Sequence, residues 1–108
     1  MNGMNKKDLT IARELKKRLA EVIDVVNLIV FGSRARGDAD EYSDMDISIE
    51  VGSVDRRVQE KIADIAWEVG FENSMVISPV IFTTDEIRNS PLRASPFLNN
   101  IADEGVKL

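Results

Sequence analysis

The sequence contains no cysteine and no histidine. The first absence removes disulfides, thiolate metal ligands and thiol nucleophiles together. The second removes imidazole bases and the usual nitrogen ligands of zinc. Acid–base or metal chemistry therefore falls to Asp, Glu, Lys, Tyr and hydroxyl side chains, and carboxylates favour hard cations such as Mg²⁺, Mn²⁺ or Ca²⁺. No apolar run approaches the roughly 18 residues that span a bilayer, and the N-terminus lacks the apolar core of a signal peptide. The expectation is a cytoplasmic protein with no membrane partner. Basic residues are outnumbered: 14 Lys and Arg face 19 Asp and Glu, a net charge of −5. Duplex DNA owes most of its affinity to neutralised phosphates, so nucleic acid is not expected as a standing partner. The same acidity suits a bound cation or a basic protein.

What is present is an ordinary globular composition. The 108 residues, 44% hydrophobic and 31% charged, fit one domain over 1–108. Residues 1–7 are polar and expected to fray. Asp8 is placed to cap a helix to about Ile23, with Ile11, Leu15, Leu19 and Val22 on one stripe. The run 25–31, Val-Val-Asn-Leu-Ile-Val-Phe, reads as a buried strand ending at Gly32. Ser33 opens a brief helical stretch to Arg36, and 37–42 is a polar loop. Residues 44–51 alternate: Met45, Ile47, Ile49 and Val51 point one way, and Asp44, Asp46, Ser48 and Glu50 the other. Ser53 is expected to cap a second long helix that buries Val58, Ile62, Ile65, Ala66 and Val69 and stops at Gly70. Trp67 is expected in or against that packing. A strand over about 75–82 carries Pro79, which argues for a sheet edge or a bulge. Thr83 and Glu86 have capping-box spacing, Ser95-Pro96 is a cap followed by proline, and Gly105 ends the last helix. The order α-β-(short α)-β-α-β-α predicts an α/β (α+β) fold: a small mixed sheet covered by helices.

One segment carries chemistry. A buried strand delivers Gly32 to a sharp turn, where the missing side chain lets a ligand approach the backbone. Ser33 then opens a helical turn whose free N–H groups favour a phosphate, and its hydroxyl adds a donor. Arg34 and Arg36 are cationic forks beside that turn, with pairing to Asp38, Asp40 or Glu41 as the plainer alternative. Asp44 and Asp46 leave one face of a strand with Cα atoms roughly 6.5–7 Å apart. Their carboxylates can converge on one or two divalent ions, whereas an empty pair would repel. Mg²⁺ typically takes one or two protein carboxylates and completes its shell with water and phosphate oxygens. Asp44 and Asp46 are thus candidate metal ligands and catalytic residues, and Gly32, Ser33, Arg34 and Arg36 candidate nucleotide-binding residues. Tyr42 reads as a loop tyrosine.

Gly32-Ser33, ten intervening residues, then Asp44-Met45-Asp46 resembles the signature of the DNA polymerase beta-like nucleotidyltransferase superfamily. The string Gly32-Ser33-Arg34-Ala35-Arg36-Gly37 and the Ser43-Asp44-x-Asp46 ending resemble its minimal nucleotidyltransferase branch, whose members are often antitoxin partners of HEPN-domain proteins. The resemblance implies a polymerase beta-like palm fold and Mg²⁺ (or Mn²⁺) on Asp44 and Asp46. It implies the phosphates of ATP on Gly32 and Ser33 near Arg34 and Arg36, and AMP transfer to a hydroxyl, a tyrosine of a HEPN toxin. The superfamily usually adds a third acidic residue on the next strand. Here that strand has no carboxylate and Ser78 sits near the position, with Glu50 or Glu72 as substitutes to be sought. A second reading keeps the fold and pocket but acts by docking on a partner and blocking it. A homodimer is compatible with Phe97, Leu98 and Ile101, which could serve a core or an interface.

Overall fold

The computed structural model describes residues 3–108; Met1 and Asn2, the start of the expected frayed segment, lie outside them. In chain order the elements are α1 (Lys6–Ala20), β1 (Val25–Phe31), α2 (Ser33–Arg36), β2 (Met45–Val51), α3 (Arg56–Glu72), β3 (Ile77–Thr83), α4 (Thr84–Asn89), a 3₁₀ turn (Pro91–Ala94), α5 (Pro96–Glu104) and β4 (Val106–Lys107). The strands form one sheet in the order β3-β2-β1-β4. β1 runs antiparallel to β2 and β4, while β2 and β3 are parallel. This is the mixed sheet with helices that the sequence pattern predicts, and β3, with Pro79, is an edge. No described helix is long and apolar enough to cross a membrane.

Strand alternation divides the sheet into two chemically different faces. Leu28 pairs with Ile49 and Val30 with Ile47, and these side chains are buried with Met45, Val51 and the apolar stripes of α1 and α3. The other face carries Asn27, Ile29 and Phe31 opposite Glu50, Ser48 and Asp46, then Ser78, Val80 and Phe82 of β3 in register with Asp46, Ser48 and Glu50. Phe97 of α5 covers part of that face, meeting Phe31 and Phe82. The apolar face fixes the register, because a one-residue slip would turn every core side chain outward. Fixing it also fixes where Asp46 lies.

Local chemistry moves several boundaries. Asn5, not Asp8, caps α1 by accepting from the Asp8 N–H at 2.7 Å, which frees the Asp8 carboxylate for the interior. Gly3 N–H, within the stretch expected to fray, donates to Ala35 O at 3.1 Å. α1 stops at Ala20, so Val22 lies beyond the stripe and is exposed. Asp55 rather than Ser53 caps α3, its side chain accepting from Val58 N–H. The capping box of Thr83 and Glu86 and the Ser95 cap before Pro96 form as predicted. Gly105 caps α5 with an extended backbone, φ −73°, and leads straight into β4, a two-residue strand that periodicity does not reveal. Trp67 departs furthest: it is 69% exposed and stacks on Phe71, ring centroids 5.2 Å apart.

α3 also runs through Gly70 to Glu72 instead of stopping there. The glycine meets a demand of packing: a Cβ at residue 70 would lie 2.6 Å from Met75 O, where the chain turns back into β3. Gly70→Ala should therefore destabilise the protein by about 1–3 kcal/mol through overpacking, although alanine favours helix by nearly 1 kcal/mol. Equilibrium urea unfolding measures this, and a variant as stable as wild type would contradict the packing argument.

Candidate functional site

The site begins where β1 ends. Phe31 is the cross-strand partner of Asp46, so the next residue, Gly32, turns directly over that carboxylate. Gly32 has φ 76° and ψ −158°, a region open essentially to glycine alone. A Cβ there would lie 2.5 Å from Asp46 Oδ2, so a side chain is excluded on steric grounds as well. Past it, the N–H groups of Ala35 and Arg36 both bond to Gly32 O. Those of Ser33 and Arg34 precede the first intrahelical acceptor. The serine turn and the aspartate thus share one corner of the polar sheet face.

Asp44 immediately precedes β2 and is exposed, whereas Asp46 is half-buried. Ser78, on the neighbouring parallel strand, is in register with Asp46, and its Oγ lies 3.4 Å from Asp44 Oδ2. The Asp46 carboxyl is pushed above the ordinary carboxylate range, first by burial and then by the negative field of Asp44, with Arg36 opposing. A half-buried carboxylate beside a second one is a place where a cation relieves an existing electrostatic cost. The donor set, two carboxylates and a serine hydroxyl, is all oxygen and fits a hard divalent ion.

The two arginines separate. Arg36 is exposed, with Nε 3.2 Å from Asp38 Oδ2 and Nη1 3.2 Å from Glu104 Oε1. It is close enough to act on Asp46. Arg34 departs from the expectation of a phosphate-facing group. It is buried, donates from Nη1 to Asp8 Oδ1 at 2.9 Å, and donates from Nε and Nη2 to Ser43 O at 2.9 and 2.8 Å. Longer contacts of 3.4 Å reach Asp40 O and Glu41 O. Its planar fork gathers the carbonyls of the loop between α2 and β2 and so sets the approach of the chain to Asp44. Asp8, only 3% exposed, completes the arrangement. The sequence pattern reads Asp8 as a helix cap, and its first-turn position is equally ordinary for an acidic residue, so no local signal marks its pairing with Arg34.

The substitutes for a third carboxylate are elsewhere. Glu72 lies at the end of α3 and is held by Arg18. Glu50 is buried four residues along β2 from Asp46, about 13 Å by strand rise, and accepts from Asn27 Nδ2 and Thr84 Oγ1 at 2.9 and 2.7 Å. Among the described residues no three His, Cys, Asp or Glu side chains cluster to hold a metal. Tyr42 is 84% exposed on the loop.

Residues 10–107 match the family described as nucleotidyltransferase domain. The chain is similar to the candidate protein adenylyltransferase MJ0141 of Methanocaldococcus jannaschii, with 35% identity over 77 residues, or 68% of this chain and 78% of that protein. It is also similar to the candidate protein adenylyltransferase MJ1305 of the same organism, with 34% identity over 61 residues, or 54% of this chain and 42% of that protein.

Two outcomes follow from the electrostatics. Between the ordinary carboxylate value and the raised value of Asp46, the folded protein keeps a proton that the unfolded chain has released. Stability therefore falls as pH rises through that window and stays lowered at neutral pH. Without divalent ions, Asp46→Asn should raise the melting temperature at pH 7 by about 2–4 °C, a gain that vanishes below the ordinary carboxylate range. A lower melting temperature at pH 7 would contradict the assignment. Asp8→Ala should cost about 3–5 kcal/mol in urea unfolding by stranding the buried Arg34 charge, and a loss below about 1 kcal/mol would show that pair to be solvated like a surface one.

Proposed function

The chain belongs to the nucleotidyltransferase domain family, and from that premise we propose that it transfers AMP from ATP to a protein hydroxyl. The observation that carries the reading is the contact of Gly32 with the Asp46 carboxylate, with Asp44 beside it. A phosphate cradle and a carboxylate pair in one corner suit a triphosphate together with its counter-ion. Asp44 and Asp46 would hold Mg²⁺ or Mn²⁺, which when bound neutralises charge on the reacting phosphates. The backbone of Gly32 and Ser33 and the Ser33 hydroxyl would take phosphate oxygens, with Arg36 as the nearby exposed cation. Arg34 acts from behind, holding the loop that presents Asp44. The acceptor oxygen bonds to the α-phosphorus, the bond from that phosphorus to the bridging oxygen of pyrophosphate breaks, and the hydroxyl proton passes to water.

The names of the two relatives support a protein acceptor, and the resemblance to the minimal branch supports a tyrosine of a HEPN-domain toxin silenced by the modification, in the cytoplasm. Ser78 in register with Asp46 favours a second reading, in which the domain docks on the same partner and blocks it without chemistry.

Label from α-³²P ATP with Mg²⁺ and a HEPN-domain protein separates them. Transfer should appear on the partner and fall at least about 100-fold in Asp44→Ala, a loss of a few kcal/mol of transition-state stabilisation. Ser78→Asp, which adds a carboxylate opposite Asp46, should increase transfer roughly tenfold or more while lowering stability without metal. Inhibition of the partner that survives Asp44→Ala, with no label transferred by any variant, would leave docking alone.

A further inference from the structure

The apolar part of the site face has no role in phosphate or metal binding, yet its geometry is specific. Phe97, at the second position of α5, meets Phe31 edge to face, with centroids 5.6 Å apart and planes at 84°. It also meets Phe82 at 6.4 Å. Phe31 is paired with Asp46, and Phe82 is in register with Glu50. A ring touching both therefore crosses β2 over Ser48, the residue between them on that face, and Ser48 is indeed buried. That sets Phe97 two strand positions from Asp46, about 7 Å along β2. Phe82 is buried, but Phe97 remains 44% exposed. An aromatic ring held against Phe31 and Phe82, with nearly half its surface in solvent, stands as a wall beside the carboxylate pair.

Resting on the nucleotide reading above, we propose that Phe97, backed by Phe31, is the stacking platform for the base of the bound nucleoside triphosphate. The two ends of the ligand then match the two halves of the sheet face. The anionic phosphates meet Gly32, Ser33 and the cation at Asp44 and Asp46, and the ribose spans the intervening distance. The flat apolar base covers the exposed part of Phe97. Aromatic rings accept any base by stacking, because every base presents a π face. The edge-to-face contact with Phe31 fixes the orientation of the Phe97 ring before the ligand arrives, which lowers the ordering cost of binding.

The test compares Mg²⁺·ATP with Mg²⁺·tripolyphosphate, which has the phosphates and no base, by titration calorimetry on the wild-type protein and on Phe97→Leu. Leucine keeps an apolar side chain against Phe31 and Phe82 and removes the π face, and a melting curve on the same samples reports folding. The wild-type protein should bind ATP more tightly than tripolyphosphate. Phe97→Leu should weaken ATP about 5- to 30-fold and leave tripolyphosphate unchanged. Equal weakening of both ligands would make Phe97 a support for the phosphate end and overturn the platform. Unchanged ATP affinity in Phe97→Leu would overturn it too. Wild-type protein that binds tripolyphosphate and ATP equally well would refute the platform while leaving the phosphate site intact. Failure to bind either ligand would defeat the nucleotide reading itself and the platform with it.

Discussion

The pairing of Phe31 with Asp46 between β1 and β2 is the constraint from which the rest of the molecule's chemistry follows. It is enforced by residues that take no part in that chemistry. Leu28, Val30, Met45, Ile47 and Ile49 are fully buried against α1 and α3, so the register cannot shift without exposing the core. Given that register, the chain leaving β1 has to turn over the Asp46 carboxylate, and only glycine fits the turn. A half-buried carboxylate beside another one disfavours its charged form at that point. A bound cation would remove the conflict, and an adjacent phosphate ligand would bring the balancing negative charge. Local conflict within an otherwise consistent core is the usual mark of a site rather than of a scaffold.

A second constraint acts on the loop between α2 and β2. Its carbonyls at Asp40, Glu41 and Ser43 converge on the Arg34 guanidinium, and Asp8 from α1 supplies the counter-charge. The loop is therefore built around one buried ion pair rather than an apolar cluster. Such a pair contributes little net stability over a hydrophobic substitute, but breaking it leaves a stranded charge. Its consequence is geometric: the start of β2, and with it Asp44, is tied to the N-terminal helix. Asp40 adds a local turn, its carboxylate accepting from the Tyr42 N–H at 2.8 Å.

Most of the architecture was legible because most elements carry their own periodic or capping signal. The β1 run, the alternation of β2, the Thr83–Glu86 box and the Ser95-Pro96 start all appear where local chemistry demands. What escaped the sequence depends on distant partners. Asp8 and Arg34 each have an adequate local reading, as cap and as phosphate ligand, and only the folded chain brings them within 2.9 Å. Trp67 is aromatic and helical, hence expected inside, but it lies in the open at the sheet edge, sharing a surface pocket with Ile77 and Pro79 of β3, and it stacks on Phe71 one turn later. Gly70 reads as a helix stop because its close approach to Met75 is invisible along the chain. β4 is too short to show a period. The Gly32, Ser33, Asp44 and Asp46 pattern was visible as spacing, whereas the contact between Gly32 and Asp46 needed the strand register.

The central claim is that the serine turn and the two aspartates hold a divalent ion and a triphosphate together. Crystals grown with Mn²⁺ and a non-hydrolysable ATP analogue test it directly through anomalous scattering. The account requires a manganese peak within about 2.0–2.6 Å of carboxylate oxygens from both Asp44 and Asp46, with phosphate density against the Gly32–Ser33 backbone. Manganese bound elsewhere on the protein, or phosphates lying away from that turn, would contradict it.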